Sequence, residues 1–303
     1  MNRFDRFLFD TCNPNIVPVL RIGYAICILI HALVLLPEAS YWFSDAGVLQ
    51  TETARSLAGT SKWSLFFLLP NTPTIAYLSI TSVCIHCVLL ALGIFSRFQV
   101  AILFVWLVSY QNRMPLIHDG EDTVMRLFAF FLFFLPLDSK YSLLQRWRST
   151  NTQPIRSDQA WALRLIQFEM TAIYASTCIS KLAGETWQNG TALWYVSRMN
   201  DNYGRLIPSD WFDSLAVSQA ATYGALAIEA FLPIGLWIPK LCWVAIGLGI
   251  TLHLGIEFSM NLFIFEWVMI LGLLSFVPSR ASDAQATQGT NEPSEAVPSL
   301  LQR

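Results

Sequence analysis

The feature that most constrains this chain is a series of long, unbroken apolar runs between residues 16 and 278. Only 13% of its 303 residues are charged, whereas 54% are hydrophobic, and a soluble domain carries about 25% charged residues. In lipid, only helices and closed barrels satisfy their backbone hydrogen bonds. Because a barrel would show alternating segments of about ten residues, the runs predict an all-α, polytopic transmembrane helical bundle.

Eight of these runs predict about eight membrane spans. The predicted boundaries are about 16–37, 73–95, 98–117, 123–136, 159–180, 214–238, 240–258 and 260–278. The fourth run is shorter than the ~20 apolar residues that cross a bilayer. Either this helix begins inside a polar cavity, or the acidic residues before it lie below the water surface.

The spans divide the chain into three parts. Residues 1–15 predict an interfacial N-terminal segment, and residues 16–278 form the predicted transmembrane domain. Residues 279–303 predict a disordered polar tail, because their composition cannot bury a core. The aromatic connections 38–72 and 182–213 predict amphipathic interfacial segments at the membrane surface.

An even number of spans places both termini on the same side of the membrane. The basic connection 138–158 carries Lys140, Arg146, Arg148 and Arg156, which predicts that this side is cytoplasmic. The connections that carry the acidic cluster and the lysine described below then face outside.

Several classes of function find no support in the sequence. The net charge of −2 and the lack of a dense basic cluster argue against nucleic-acid binding. Cys84 and Cys87 have CxxC spacing, but they lie within a predicted span without a second pair, so no metal site is predicted. No GxSxG, HExxH, P-loop or GxGxxG motif is present, which argues against standard hydrolase, zincin and nucleotide chemistry.

The stretch Tyr174–Tyr195 is the most informative part of the sequence. An apolar run ends there in Lys181, and Trp187 and Gly190 follow. One interpretation is a lysine that anchors a helix end at the membrane boundary. The other is a buried lysine that acts as a base at the rim of a site.

An acidic cluster of Asp119, Glu121 and Asp122 precedes the short fourth run. It either caps a helix in a solvated loop or places a carboxylate at the bottom of an outward cavity, where it holds a proton or orients Lys181. Asp122 and Arg126 are four residues apart and can pair on one helical face.

Further ionisable residues lie inside the predicted spans. His253 and Glu257 are four residues apart, a spacing that fits a metal site or a proton relay but favours a hydrogen-bonded structural pair. Ionisable groups at membrane depth usually face the bundle and pair with one another, so their number predicts a polar cavity. The others are Glu169, Glu229, Glu266, Arg21 and Arg164.

Four groups of residues together resemble a known family. Their order and spacing are similar to the HTTM family, the membrane module found in vitamin K-dependent gamma-carboxylase, over roughly residues 5–278. The groups are Tyr41–Leu49; Asn112 with Asp119-Gly120-Glu121-Asp122 and Arg126; Ser180-Lys181-Leu182 with Trp187 and Gly190; and Glu229 with His253.

The resemblance implies a specific chemistry. Lys181 would be the base that deprotonates a reduced, vitamin K-like quinone, with Asp119 and Asp122 tuning its protonation. The implied cofactor-binding residues are Trp187, Gly190, Asn112 and Arg126, and His253, Glu257 and Glu229 are a relay or a structural pair. The resemblance also implies a bacterial inner-membrane protein whose site faces outside, with a secreted protein or peptide as the substrate.

One departure limits what the resemblance implies. The carboxylase carries a large lumenal part that binds its peptide substrate, whereas only a short polar tail follows Pro278 here. We therefore expect quinol chemistry more than glutamate carboxylation. Two alternatives are a non-catalytic membrane partner in the maturation or export of a secreted protein, and a proton-coupled transporter that uses Glu169, Glu229 and Glu266.

Overall fold

The described part of the chain is entirely helical apart from its connections. The computed structural model describes residues 8, 13, 15–59, 61–117, 120–138, 141–148, 160–199, 203–204, 206–260, 262 and 264–278. The predicted tail 279–303 and most of the predicted segment 1–15 lie outside these residues. Within the described ranges no strand forms, and one isolated antiparallel bridge joins Tyr203 to Met260.

In the described ranges, eight helices form the body of the bundle, and short helices lie in the connections. The eight are α1 (Ile16–Leu35), α4 (Pro73–Leu92), α5 (Ser96–Arg113), α6 (Gly120–Leu132), α8 (Ala160–Leu182), α11 (Leu215–Gly235), α12 (Cys242–Ser259) and α13 (Phe265–Leu274). The short ones are α2 (Ala39–Phe43), α3 (Thr51–Ala58), α7 (Leu143–Arg148), α9 (Glu185–Gln188) and α10 (Ala192–Val196).

Four helices in the described residues are long and apolar enough to cross a membrane. They are Ile16–Phe43, which joins α1 to α2, and α4, α11 and α12. All eight predicted spans coincide with helices of the described residues. The fourth helix, Gly120–Leu132, is short as predicted, whereas the eighth, Phe265–Leu274, is shorter than the predicted 260–278. Both are shorter than a bilayer requires, so the number of membrane spans stays a prediction.

Local signals in the sequence explain where these helices begin and end. The Oγ1 atom of Thr72 accepts a hydrogen bond from the Ile75 amide at 3.4 Å, and Pro73 occupies the first turn of α4. Gly93 ends the same helix in the left-handed conformation, at φ 71°. Its amide donates to carbonyls of the last turn, the usual stop for a helix before a tight turn.

The helices pack in sequential pairs around one apolar core. α1 packs on α4, α4 on α5 and α5 on α6, while α8 packs on α11 and α11 on α12. The short α13 lies against α1, α8 and α12 and so joins the two halves of the bundle. Leu20, Tyr24 and Phe128 are fully buried in the core.

Two fully buried arginines tie the connections to the ends of the bundle. Arg21 donates to the carbonyl oxygens of Leu137 at 2.6 Å and Tyr141 at 2.7 Å, at one end. Arg113 donates to the carbonyl oxygen of Leu49 at 2.6 Å, at the other end. We call these the Arg21 end and the Lys181 end, because Lys181 closes α8 on the same side as Arg113.

Candidate functional site

Lys181 lies in the last turn of α8, and the chain folds back over it. The Gly184 amide donates to the Lys181 carbonyl at 2.9 Å, which ends the helix. Helix α9 then brings the indole of Trp187 to the lysine, so that Nζ lies 4.7 Å from the ring centroid. A cation over an indole face is stabilised by the ring quadrupole. The Lys181 side chain is 26% exposed.

The lysine is paired with Glu229 of α11. Its Nζ donates to Oε1 of this carboxylate, and Glu229 is only 6% exposed. The second oxygen, Oε2, is buried without a hydrogen-bond partner among the described residues. A lysine that only anchors a helix at the membrane surface extends into water, whereas this one points to a buried acid on another helix.

A second polar chain runs through Tyr174, His253 and Glu266. The Tyr174 hydroxyl lies 2.6 Å from Nε2 of His253, and Nδ1 of the same ring contacts Oε2 of Glu266. All three side chains are nearly fully buried. With Glu266 ionised, Nδ1 would donate to it and Nε2 would accept from the phenol, because an ionised carboxylate can only accept. This order of groups matches the geometry in which an acid orients a histidine base.

Both groups line one cavity of about 250 Å³. Along α8, Tyr174, Thr177 and Lys181 contribute to it, and their i, i+3, i+7 spacing places them on one helical face. Glu229 and Glu266 each keep one oxygen without a hydrogen-bond partner in the described residues. The other walls are mostly apolar, so the cavity combines a dry environment with several convergent polar groups, as ligand sites do.

Gly190 lies in the turn between α9 and α10 and is not among the described residues that line this cavity. It has φ 77°, and a Cβ atom there would lie 2.7 Å from Cγ of Gln219. Its carbonyl oxygen accepts a hydrogen bond from the Ser218 hydroxyl at 3.2 Å. Gly190 therefore lets the segment after Trp187 pack closely on α11, a structural role that differs from the cofactor contact implied by the resemblance.

The acidic residue beside Lys181 is Glu229, in place of the predicted Asp122. Asp122 lies on α6 and is not among the described residues that line the cavity. Asp119 lies outside the described residues. The sequence of the acidic cluster does not show which acid meets Lys181, because the packing of α8 on α11 brings α11 to the lysine.

Asn112 and Arg126 belong to a separate polar cluster. Asn112 donates to the Trp63 carbonyl at 2.7 Å, and Arg126 donates to Oε1 of Gln111 at 2.6 Å. In the same region His31 lies 3.5 Å from Glu121. None of these side chains lines the Lys181 cavity, so the structure does not place Asn112 and Arg126 at the site.

The predicted pair of His253 with Glu257 is replaced by longer-range contacts. Both ring nitrogens of His253 contact residues from other helices, Tyr174 and Glu266. Glu257 lines a different cavity. Residues four apart on a helix are neighbours. In this bundle, however, the packing of other helices brings Tyr174 and Glu266 to the two ring nitrogens of His253.

Sequence reasoning missed the part played by Tyr174 and Glu266. The sequence identifies Glu266 as an ionisable group in a span that a transporter could use, and Tyr174 only as the start of the informative stretch. The signal that could have found Tyr174 is its position seven residues before Lys181, two helical turns along the same face.

Glu169, another predicted acid, stands apart from the groups above. It is 9% exposed, and neither of its oxygens has a hydrogen-bond partner among the described residues. It does not line the Lys181 cavity.

Comparisons of the chain with protein-family models, curated proteins and solved structures give no significant match. The resemblance to the HTTM family therefore stays a prediction, and the site's own geometry carries the functional argument.

Proposed function

We propose that the protein is a membrane enzyme, similar to the HTTM family, that removes a proton from a quinol-like weak acid. The observation that supports this most is the ion pair of Lys181 with Glu229 in a cavity that also holds Tyr174, His253 and Glu266. The first step would then resemble that of a gamma-carboxylase. Lys181 is the residue that accepts the substrate proton.

The ion pair offers a balanced route for this proton. The substrate O–H transfers its proton to Nζ of Lys181 as Lys181 passes one of its own protons to Glu229. The products are a substrate anion beside an ammonium group and a neutral Glu229. Lys181 stays charged and stabilises the anion, an arrangement whose effect is large where water is excluded. Trp187 holds the ammonium from its ring face.

The size and lining of the cavity fit a ring-shaped head group. Its volume of about 250 Å³ is below the roughly 300–1,000 Å³ of sites for drug-sized ligands. One aromatic ring, or two fused rings, would fit between the apolar walls, with hydroxyl groups directed at Lys181 and at Tyr174. When bound, a quinol would supply electrons from its deprotonated ring.

We further propose that all eight helices of the bundle body, including the short α6 and α13, lie in a bacterial inner membrane, with the Lys181 end facing outside. The alternating direction of α1, α4, α5 and α6 supports this, as does the basic connection near Arg146 at the Arg21 end. Buried polar contacts around Arg113 and His31 let α6 start below the surface. The partners under this proposal are the bilayer and a membrane-soluble acid.

A chromophoric phenol tests the proposed proton transfer directly. We expect the purified chain in lipid nanodiscs to bind a nitronaphthol as its coloured anion, at a pH where the free probe is protonated. The Lys181→Ala variant should bind the anion at least tenfold more weakly, because the buried Glu229 then repels it. Absorbance titration measures both the affinity and the ionisation state.

The control is Lys62→Ala, which removes an exposed lysine at the same end of the bundle. It should bind the anion as the wild type does. Thermal melting confirms that each variant is folded. Equal anion binding by folded Lys181→Ala, or binding of the probe only in its neutral form, would overturn the proposal.

A further inference from the structure

A second cavity lies on the other side of α13. It is a groove of about 840 Å³ between α1 and α13, which we call the α1–α13 groove. Its lining includes Val19, Ile26 and Ile30 on α1, and Trp267 and Leu271 on α13. The three α1 side chains are between 41% and 47% exposed, so the groove opens sideways to the surroundings of the bundle.

Helix α13 separates this groove from the Lys181 cavity. Phe265, Glu266 and Met269 line the Lys181 cavity, whereas the groove is lined by other α13 residues. The groove residues are Trp267, Ile270, Leu271 and Leu274. At 100° per residue the two sets fall on opposite faces of the helix. The groove is therefore a separate site and takes no part in the proton transfer proposed above.

The lining of the groove changes from apolar to acidic at the Lys181 end. Glu257, near the end of α12, lines the groove and is only 5% exposed. An apolar trough that ends at this carboxylate fits a chain with a cationic, hydrogen-bond-donating head.

The length of the groove fits one lipid chain. Its α1 lining runs from Pro18 to Ile30, which is about 18 Å at the rise of an α-helix. One leaflet of a bilayer has about 15 Å of hydrocarbon. We propose that the α1–α13 groove binds a membrane lipid with a primary-amine head group. Its acyl chain lies along Ile26 and Leu271, and its ammonium lies at Glu257.

Lipids that differ only in their head groups test this proposal. Native mass spectrometry of the purified chain would compare ethanolamine, choline and glycerol phospholipids with identical acyl chains. We expect the ethanolamine lipid to bind about tenfold more tightly than the choline lipid, because a quaternary ammonium cannot donate a hydrogen bond to a buried carboxylate. The anionic glycerol lipid should bind most weakly.

Three variants separate the head site from the chain site. Glu257→Gln should abolish the preference for ethanolamine while chain binding remains. Ile26→Trp fills the groove and should weaken all three lipids at least tenfold, whereas Val34→Trp, at an exposed α1 position outside the groove, should change nothing. Equal binding of the three lipids to the wild type, or unchanged binding by Ile26→Trp, would show annular lipid only and overturn the proposal.

The two proposals fail independently. Lipid binding in the groove is read without any substrate of the Lys181 cavity, and the nitronaphthol titration is read without a change in lipid. A wild type that binds the naphthol anion but shows no preference for an amine head would remove only the lipid site.

Discussion

At the scale of single residues, the pairing of Lys181 with Glu229 determines how the site handles a proton. If Glu229 is the final acceptor, the proton that the naphthol loses stays within the protein, on Glu229. The affinity of the wild type for the probe should then be independent of pH wherever the free probe is protonated. In Glu229→Gln the proton must go to solvent, so the affinity should rise about tenfold per pH unit.

Absorbance titrations at three pH values measure this difference. The Glu229→Gln variant keeps the volume of the side chain, and melting in detergent checks its fold. A wild-type affinity that rises as steeply as that of the variant would show that Glu229 does not take the proton. The proton would then leave to solvent, and Lys181 would stabilise the anion only by its charge.

Tyr174 provides a second prediction at this scale. Tyr174→Phe removes the hydroxyl that lies 2.6 Å from Nε2 of the buried His253, and leaves that nitrogen without its partner. The expected loss in the free energy of unfolding is about 1–3 kcal/mol. The control is Tyr223→Phe, whose hydroxyl donates to the Gln188 carbonyl at an exposed position. Water replaces that bond, so its loss should be below about 0.5 kcal/mol.

Denaturant unfolding in one detergent compares the two tyrosine variants. Equal losses would mean that the bond to His253 contributes no more than a surface hydrogen bond, and the polar chain through Glu266 would lose its structural basis. A larger loss in Tyr174→Phe alone supports it.

The sequence identified residues better than it identified their partners. It singled out Lys181, Glu229 and His253, because each is an ionisable group in an apolar run. It did not join Lys181 to Glu229, which are 48 positions apart, since no local spacing links two helices. The same limit explains why His253 was predicted with Glu257, its neighbour along the helix, although it contacts Glu266 and Tyr174.

At the scale of elements, the turn between α9 and α10 positions the rim of the site. Gly190 has φ 77°, which costs an L-residue roughly 1–2 kcal/mol. An added Cβ would also lie 3.0 Å from the Tyr223 ring. We expect Gly190→Ala to lower the free energy of unfolding by about 1–3 kcal/mol, and to weaken anion binding by moving Trp187 away from Lys181.

Gly255 is the matched control for this prediction. It lies in the interior of α12 with no atom within 4 Å of an added Cβ. Gly255→Ala should therefore stabilise the helix by roughly 0.5–1 kcal/mol. If Gly190→Ala proves as stable as the wild type in the same melts, the turn does not require glycine.

The positions of the long helices were predictable, and their faces were not. The apolar runs predict α1 and α4 to within a few residues, because a long run of apolar residues is itself the signal of such a helix. The runs are apolar on every side, so periodicity does not show which face meets a neighbour. Helix α13 has one face that carries Glu266 and another that carries Trp267. Only the packing shows which cavity each face lines.

At the scale of the whole molecule, several ionisable groups of the bundle are paired locally, whereas Glu169 is not paired within the described residues. Arg21 and Arg113 each donate to carbonyl oxygens of the connections, and Lys181 and His253 each contact a glutamate. Ionisable groups at membrane depth are costly unless they find such partners. These contacts support a bundle in which an arginine binds the connections at each end, with a polar cavity near the Lys181 end.

The direction in which that end faces is the last prediction. The Lys181 end should face outside and the Arg21 end the cytoplasm, because the basic connection around Arg146 lies at the Arg21 end. In intact cells, a membrane-impermeant maleimide should label Lys62→Cys, at an exposed position of the Lys181 end. It should label Trp147→Cys, at an exposed position of the Arg21 end, only after the cells are opened. The wild type, whose described cysteines lie mostly within the bundle, gives the background. Labelling of Trp147→Cys alone in intact cells would reverse the orientation and place the proton-transfer site on the cytoplasmic side.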